Sequence, residues 1–159
     1  MKVTEKDRQM LEKAIQTALM GIDEGGGPFG AVITRKGKVI ARDYNRVVLM
    51  NDPTAHAEVL VIRKASRILK THNLSDCTLY ASCEPCPMCI GAVYWAGIKR
   101  IIYASGRNEA AEAGFIDSLI YNEISADPSD RKIDFIQVET NSGEDVFRKW
   151  KDSDNKIPY

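Results

Sequence analysis

The sequence CTLYASCEPCPMCIGAVYWAGIKRIIYAS, residues 77–105, contains two short apolar segments separated by a segment of helical character. Residues 77–83 and 99–105 have the length and the apolar, aromatic composition of buried strands. Between them, Pro85 is expected to begin a helix and Gly97 to end it. A strand, a helix and a strand joined this tightly predict a βαβ crossover with two parallel strands.

Patterns upstream of this crossover indicate two more helices and a hairpin. Thr4 is a candidate capping residue for a first helix, and an apolar stripe at helical spacing continues to Ile22. The segment FGAVITRKGKVIARDYN, residues 29–45, alternates around a Lys-Gly turn, which predicts a β-hairpin. A further helix is predicted to begin at Asp52-Pro53-Thr54 and to extend to about Lys70.

Three segments downstream complete the predicted fold. DSLIYNEI, residues 117–124, is expected to be a short helix, and GEDVFRKWK, residues 143–151, a final one. IDFIQVE, residues 133–139, has the pattern of a fifth strand. We therefore expect residues 1–159 to form a single α/β domain, a three-layer α/β/α sandwich with a five-stranded mixed sheet.

Composition narrows the classes of partner and compartment. The 22 Lys and Arg residues balance 22 Asp and Glu residues, which argues against a large nucleic-acid footprint. No apolar run is long enough for a bilayer, and the first residues, MKVTEKDRQM, lack the apolar core of a signal peptide. We expect a cytoplasmic protein that binds no membrane. Because thiols stay reduced there, a C-x-x-C pair favours metal binding or catalysis over a disulfide.

Two motifs, AHAEV at residues 55–59 and CEPCPMC at residues 83–89, are predicted to begin two helices and to share one metal. Cys86 and Cys89 are three residues apart, so both face one side of a helix. The helix N-terminus lowers their thiol pKa values. Two thiolates and the imidazole of His56 suit Zn²⁺ and leave one tetrahedral position for water, as in catalytic zinc sites. Glu58 would move the protons of that water.

Each half of this pattern has other interpretations. A C-x-x-C pair is also typical of redox proteins. A closed structural zinc site would need a fourth ligand, and Cys83 is the candidate, although its place on the strand side of Pro85 is expected to point it elsewhere. Cys77 is predicted to be a buried core residue, and His72 a surface residue.

The combination of H-x-E with P-C-x-x-C resembles the zinc-dependent cytidine deaminase superfamily, and the resemblance extends over nearly the whole chain. It implies that His56, Cys86 and Cys89 bind zinc and that Glu58 carries protons. The segments GGPFGAVI, NDPTAHAEV, CEPCPMC, GAVYWA and AAEAGFIDSLIY are, more closely, similar to the bacterial guanine deaminase branch. Val61 departs from that branch, where Ala is more common, and would crowd the packing behind the site.

The branch implies hydrolytic deamination of guanine to xanthine and ammonia. It further implies a homodimer in which the C-terminal segment, residues 140–159, crosses to the partner subunit. Substrate contacts are implied for Asn45 at the purine edge, for Phe29 and Trp95 as walls around the ring, and for Tyr159 from the partner's tail. Asp117 would bind the amino group or transfer a proton. Independently of the resemblance, the backbone N–H groups near Ala57 and Cys86, at the two predicted helix starts, would orient the substrate or the metal-bound oxygen.

Structural roles remain open for several of these residues. Phe29 and Trp95 are also typical core aromatics. Asn45 is also a residue type that favours turns, and Asp117 is a residue type that favours the N-cap position of the following helix.

Other functions share part of the same motif set. A tRNA-specific adenosine deaminase would use the same zinc ligands but would need a basic surface for RNA. A deaminase of cytosine, cytidine or another base or nucleoside is a second alternative. A non-enzymatic zinc module is a third, but it would have no use for Glu58.

Overall fold

The computed structural model describes residues 2–158 and divides the chain into two units, the first ending at Asp117 and the second beginning at Ser118. The helices and strands of the first unit are α1 Glu5–Asp23, β1 Gly30–Arg35, β2 Lys38–Tyr44, α2 Val47–Met50, α3 Ala57–Leu69, β3 Cys77–Cys83, α4 Pro87–Trp95, β4 Ile101–Ser105 and α5 Arg107–Glu112. Those of the second unit are α6 Ser118–Ser125, a 3₁₀ turn at Pro128–Asp130, and α7 Asn141–Lys151.

The sheet of the first unit has the strand order β2-β1-β3-β4. Strand β1 pairs antiparallel with β2 and β3, so the predicted hairpin is confirmed. Lys36 and Gly37 form its turn with φ values of 49° and 72°, as a two-residue turn with both residues in the left-handed region requires. Strand β3 pairs in parallel with β4, with Leu79 opposite Ile101, which confirms the predicted crossover through α4.

Strand β1 packs helices on both faces, so the sandwich has three layers. Ala31 and Ile33 point into one cluster with side chains of α3 and α4, among them Ala57, Val61 and Val93. Val32, which points the other way, packs against Met10 and Ala14 of α1. Val61 is fully buried within the first cluster, behind the start of α3. The alternation along β1 therefore explains both helical layers.

Helix α1 is fixed to the sheet at its first turn. The Thr4 hydroxyl accepts a hydrogen bond from the N–H of Asp7, and the Asp7 carboxylate accepts one from the N–H of Thr4, which together form a capping box. Asp7 also accepts hydrogen bonds from the Tyr80 hydroxyl at 2.7 Å and from both Arg100 nitrogens at 2.8 and 3.0 Å. Arg100, followed by Thr4, holds the pKa of Asp7 well below its usual range.

The predicted fifth strand at residues 133–139 is wrong: within residues 2–158 the sheet has four strands, and residues 133–139 form neither helix nor strand. Their apolar side chains do not alternate strictly, because two of them are adjacent, and all are 55–82% exposed: Ile133, Phe135, Ile136 and Val138. A strand needs a neighbouring backbone to satisfy its N–H and C=O groups, and the described part of this chain pairs none with it.

Two helices begin later than predicted, because local side chains and prolines shape the preceding turns. The carboxylate of Asp52 accepts hydrogen bonds from the N–H and hydroxyl of Thr54, which closes a turn, and α3 starts only at Ala57. Helix α4 starts at Pro87 rather than at Pro85, since a proline keeps the residue before it extended. Residues 107–112 form the short helix α5, which is not among the predicted helices.

Candidate metal centre and active site

His56, Cys86 and Cys89 meet at the beginnings of α3 and α4. His56 is the N-cap residue of α3, Cys86 is the N-cap residue of α4, and Cys89 lies in the first turn of α4. The Nδ1 atom of His56 is 3.6 Å from the Sγ atom of each cysteine, and the three ligand atoms lie within 4.8 Å of one another. The three predicted ligands are thus brought together.

Their spacing and chemistry fit a zinc ion. Tetrahedral zinc with Zn–S bonds of about 2.3 Å and Zn–N bonds of about 2.1 Å separates its nitrogen and sulfur ligands by about 3.6 Å. The observed separations of His56 Nδ1 from both sulfurs agree with this value. Two thiolates and one imidazole are also a donor set that zinc prefers.

The charges of the two thiols favour a bound cation. A hydrogen bond from Cys89 and one from His56 lower the pKa of Cys86 to about 4, against the opposing effect of burial. The same hydrogen bond to Cys86, together with burial and the neighbouring Glu58 carboxylate, raises the pKa of Cys89. These shifts describe a Cys86 thiolate beside a protonated Cys89, so the expectation that both thiols have lowered pKa values holds for Cys86 alone. A divalent cation would bind both residues as thiolates, because it supplies the positive charge that a second adjacent thiolate needs.

Glu58 lies beside the ligands without being one of them. It is the second residue of α3, it is only 6% exposed, and its Oε2 atom is 3.5 Å from the Sγ atom of Cys89. Burial raises the pKa of Glu58, and the nearby Cys86 thiolate adds to the effect. A buried carboxyl with a raised pKa can both accept and return a proton near neutral pH.

Cys83 does not join the centre. Its thiol donates to the carbonyl oxygen of Gly106 at 3.6 Å, and the described residues that could hold the ion together are three, as in an open catalytic site. Cys77 is buried, as expected of a core residue, and His72 is on the surface. Cys86 and Cys89 are free thiols.

Asn45 and Phe29 lie on the segments that follow β2 and precede β1. The N–H of Asn45 donates to the carbonyl of Phe29 at 2.8 Å, and the Oδ1 atom of Asn45 accepts from the N–H of Val47 at 3.2 Å. The expected turn-forming contact of Asn45 is therefore present, and it leaves the Nδ2 donor for other partners. Phe29 packs edge-on against Phe115 with ring centroids 4.8 Å apart.

Comparison with known proteins identifies the family from this same region. Residues 4–105 match the family model of the cytidine and deoxycytidylate deaminase zinc-binding region. The chain belongs to that deaminase family. The resemblance seen in the two motifs is thereby confirmed, and so are the fold class and the zinc-dependent character of the family.

Individual deaminases of the family are similar to the chain to different degrees. Guanine deaminase of Bacillus subtilis is 50% identical over 150 residues, 94% of this chain and 96% of that protein. The X-ray structure of guanine deaminase from Bacillus subtilis superposes with a TM-score of 0.94, at 47% identity over 99% of both chains. The tRNA-specific adenosine deaminase of Bacillus subtilis is 34% identical over 74% of this chain and 73% of that protein.

Other residues predicted for the deaminase site are placed as follows. Ala57 is the first residue of α3 and is fully buried, so its N–H lies at the helix start beside His56. Trp95 is the last residue of α4 and is 69% exposed. Asp117 directly precedes α6, at the position where an N-cap is expected. Tyr159 lies outside the described residues.

One buried charge follows from none of the sequence motifs. Asp43, in β2, is 4% exposed, accepts a hydrogen bond from Arg46 and forms an ion pair with Lys64. The available signal was a carboxylate two residues before Asn45, near the end of the predicted hairpin. Lys64 lies more than one helical turn after Glu58 in α3, far from Asp43 in the sequence, so only the folded chain brings Asp43 and Lys64 together.

Proposed function

We propose that the protein is a hydrolytic deaminase of guanine, which it converts to xanthine and ammonia. The observation that carries this proposal is the three-ligand centre with its adjacent buried carboxylate. The identity of 50% to a guanine deaminase, over almost the full length of both chains, supports guanine as the base. In this reaction the C2–N bond of guanine breaks, a C2–O bond forms, and one water is consumed.

The residues of the centre divide the chemistry between them. His56, Cys86 and Cys89 would hold zinc, which supplies an activated water at neutral pH. The Oε2 atom of Glu58 takes up the proton that the water loses and passes it to a ring nitrogen, which makes C2 more electrophilic. The proton of the new hydroxyl group on C2 would then be transferred to the amino group, which leaves as ammonia while C2 becomes a carbonyl carbon.

Substrate orientation is assigned to groups around the start of α3. Asn45 would donate from its Nδ2 atom to an acceptor on the purine edge, because its Oδ1 atom accepts a hydrogen bond from the N–H of Val47. The N–H of Ala57 would orient the substrate. Phe29 and Trp95 would enclose the ring, and Asp117 would bind the amino group or transfer a proton.

We propose that the protein is a homodimer that exchanges its C-terminal segments, residues 140–159. Strand β4 is the last strand of the sheet, and the described part of the chain offers no strand to pair with its free side. Residues 133–139 have the composition of a strand but pair with no strand among the described residues, and α7 exposes Val146, Phe147 and Trp150. A second copy would cover these surfaces, and Tyr159 would complete the partner's site.

The tRNA-editing alternative is less well supported. The tRNA-specific adenosine deaminase of Bacillus subtilis shares 34% identity with this chain, against 50% for the guanine deaminase. Its RNA substrate calls for an excess of basic residues, whereas 22 basic and 22 acidic residues balance here. We therefore expect a small purine as the substrate.

Among the described residues, no helix combines the length and the apolar character that crossing a bilayer requires. The cytoplasmic location stays a prediction.

A substrate panel tests the proposed activity. Zinc-loaded protein is incubated with guanine, adenine, cytosine, their nucleosides and an RNA hairpin carrying a tRNA anticodon, and ammonia release is followed. We expect release from guanine, with xanthine as the product, and at most traces from the others. Release from another base but none from guanine would reject guanine as the substrate, and release from the RNA hairpin alone would favour the editing alternative.

A further inference from the structure

Asp43 is a buried carboxylate that contacts two cations from different parts of the chain. Its Oδ1 atom accepts from the Nε atom of Arg46 at 2.9 Å, and its Oδ2 atom accepts from the Nζ atom of Lys64 at 2.6 Å. Burial alone would raise the pKa of Asp43, but the hydrogen bonds from Lys64 and Arg46 outweigh it and lower the pKa. The group is therefore charged in the folded protein.

These contacts join two of the segments that carry the proposed active site, the segment of Asn45 and the start of α3. Asp43 lies two residues before Asn45, and Lys64 belongs to α3, the helix that begins beside His56 and contains Glu58. The N–H of Arg46 donates to the carbonyl of Ala55 at 2.9 Å, which links the Asn45 segment to the residue before His56.

The side-chain amide of Asn45 is itself held tightly. Asp43 pairs across the sheet with Ala31, which faces α3, so Asp43 faces α3 as well, and Asn45 follows directly after the end of β2. A Cβ atom on Gly27 would lie 3.0 Å from both the Cγ and Oδ1 atoms of Asn45, so the glycine allows the amide its close approach. The Asn45 amide therefore has little freedom except through movement of its segment.

We propose that Asp43 is a positioning residue that, through Arg46 and Lys64, fixes the Asn45 amide relative to Glu58 and the metal ligands. The inference rests on the proposed guanine deamination. Stability alone is a weak explanation for this group, because buried ion pairs are often replaceable by apolar residues without loss. What an ion pair adds is one defined geometry between the segments that it joins.

The first variant is Asp43→Asn, with Asp7→Asn as the matched control. Asp7 is also a buried carboxylate paired with an arginine, but it joins α1 to Arg100 and Tyr80. We expect Asp43→Asn to raise KM for guanine about tenfold, the value of one hydrogen bond, and to change kcat less than about threefold. Zinc content should stay as in the wild type. Asp7→Asn should lower the thermal midpoint but leave KM unchanged.

A second pair of variants serves if Asp43→Asn does not fold. The side chain of Lys64 is 47% exposed, so Lys64→Met disturbs little packing, and Asp43 keeps its ion pair with Arg46. We expect Lys64→Met to raise KM in the same direction, and Lys64→Arg to restore the wild-type value. Equal KM values for the wild type and for Lys64→Met, or an equal rise in Asp7→Asn, would overturn the positioning role.

A readout without substrate separates this inference from the proposed function. The side-chain amide signal of Asn45 in a ¹⁵N-correlated NMR spectrum should shift or broaden in Asp43→Asn and Lys64→Met, and should stay in place in Asp7→Asn. An unmoved signal in the first two variants would reject the positioning role even if guanine is the substrate. If wild-type protein releases no ammonia from guanine, the proposed function fails, and the Asn45 signal alone decides the role of Asp43.

Discussion

The Oε2 atom of Glu58 lies 3.5 Å from the Sγ atom of Cys89, although the two residues belong to the first turns of different helices. The parallel crossover through α4 places the start of α4 beside the start of α3, and each helix contributes what the other lacks. Helix α4 supplies two thiols, and α3 supplies an imidazole and a proton acceptor. The arrangement explains why H-x-E and P-C-x-x-C have a joint meaning that neither has alone.

Replacing Glu58 with Gln should abolish turnover and leave the zinc in place. The amide keeps the shape of the carboxyl group but cannot take a proton, and loss of a general base costs about 10²–10⁴-fold in rate. The measurements are ammonia release from guanine and zinc per chain by atomic absorption. Glu112→Gln, at the exposed end of α5, is the control and should behave as the wild type. Near-normal activity of Glu58→Gln would reject the proton-transfer role, and loss of its zinc would make Glu58 a ligand.

Serine substitutions should separate the ligand cysteines from Cys83. Cys86→Ser removes a thiolate ligand, so we expect most of the zinc and of the activity to be lost. Cys83→Ser should keep one zinc per chain, because the Cys83 thiol is directed at the carbonyl of Gly106. Chelation should inactivate the wild type, and added zinc should restore it. Zinc loss in Cys83→Ser comparable to that in Cys86→Ser would indicate a closed four-ligand site.

Asp7 should make the stability of the fold depend on acid pH. Arg100 and the capping contacts lower the pKa of Asp7 from its ordinary value of 3.8. As the pH falls, Asp7 therefore takes up its proton at a lower pH in the folded protein than in the unfolded chain. The stabilisation is therefore complete well above pH 3.8 and declines as the pH falls below that value. At pH 7, Asp7→Asn should lower the free energy of unfolding by about 2 kcal/mol.

Urea unfolding of wild type and Asp7→Asn between pH 7 and pH 3 measures this effect. The quantity compared is the difference between their unfolding free energies, because zinc loss at low pH affects both proteins alike. This difference should shrink as the pH falls toward 3. Asp23→Asn, an exposed carboxylate at the end of the same helix, should show no such trend. A difference that stays constant with pH would mean that Asp7 acts through packing rather than through its charge.

Short sequence motifs predicted the elements whose structure is determined by residues close together in the sequence. The hairpin, the crossover and the convergence of His56 with Cys86 and Cys89 all follow from short motifs at helix starts and from strand alternation. Helices α3 and α4 begin later than predicted because of the Asx turn of Asp52 and because of Pro87. Both act within a few residues, but they override the rule that a helix begins at the first proline.

Contacts between distant parts of the chain could not be predicted in this way. Asp7 with Arg100 and Asp43 with Lys64 are pairs that only the folded topology defines. Residues 133–139 failed as a strand for a related reason. Their apolar composition is typical of a strand, but a strand also needs a partner backbone, which the sequence pattern does not specify.

Mixed dimers should reveal whether the C-terminal segment completes the partner's site. One chain carries Glu58→Gln with an intact tail, and the other is truncated before Asn155 with Glu58 intact, so each homodimer should be inactive. If the tails exchange, the mixed dimer contains one site with both Glu58 and a tail, and it should show about half of the wild-type activity. The two chains are co-expressed with different tags, purified through both, and assayed for ammonia release from guanine. A truncated homodimer of full activity would remove Tyr159 from the site, and an inactive mixed dimer would place each tail over its own subunit.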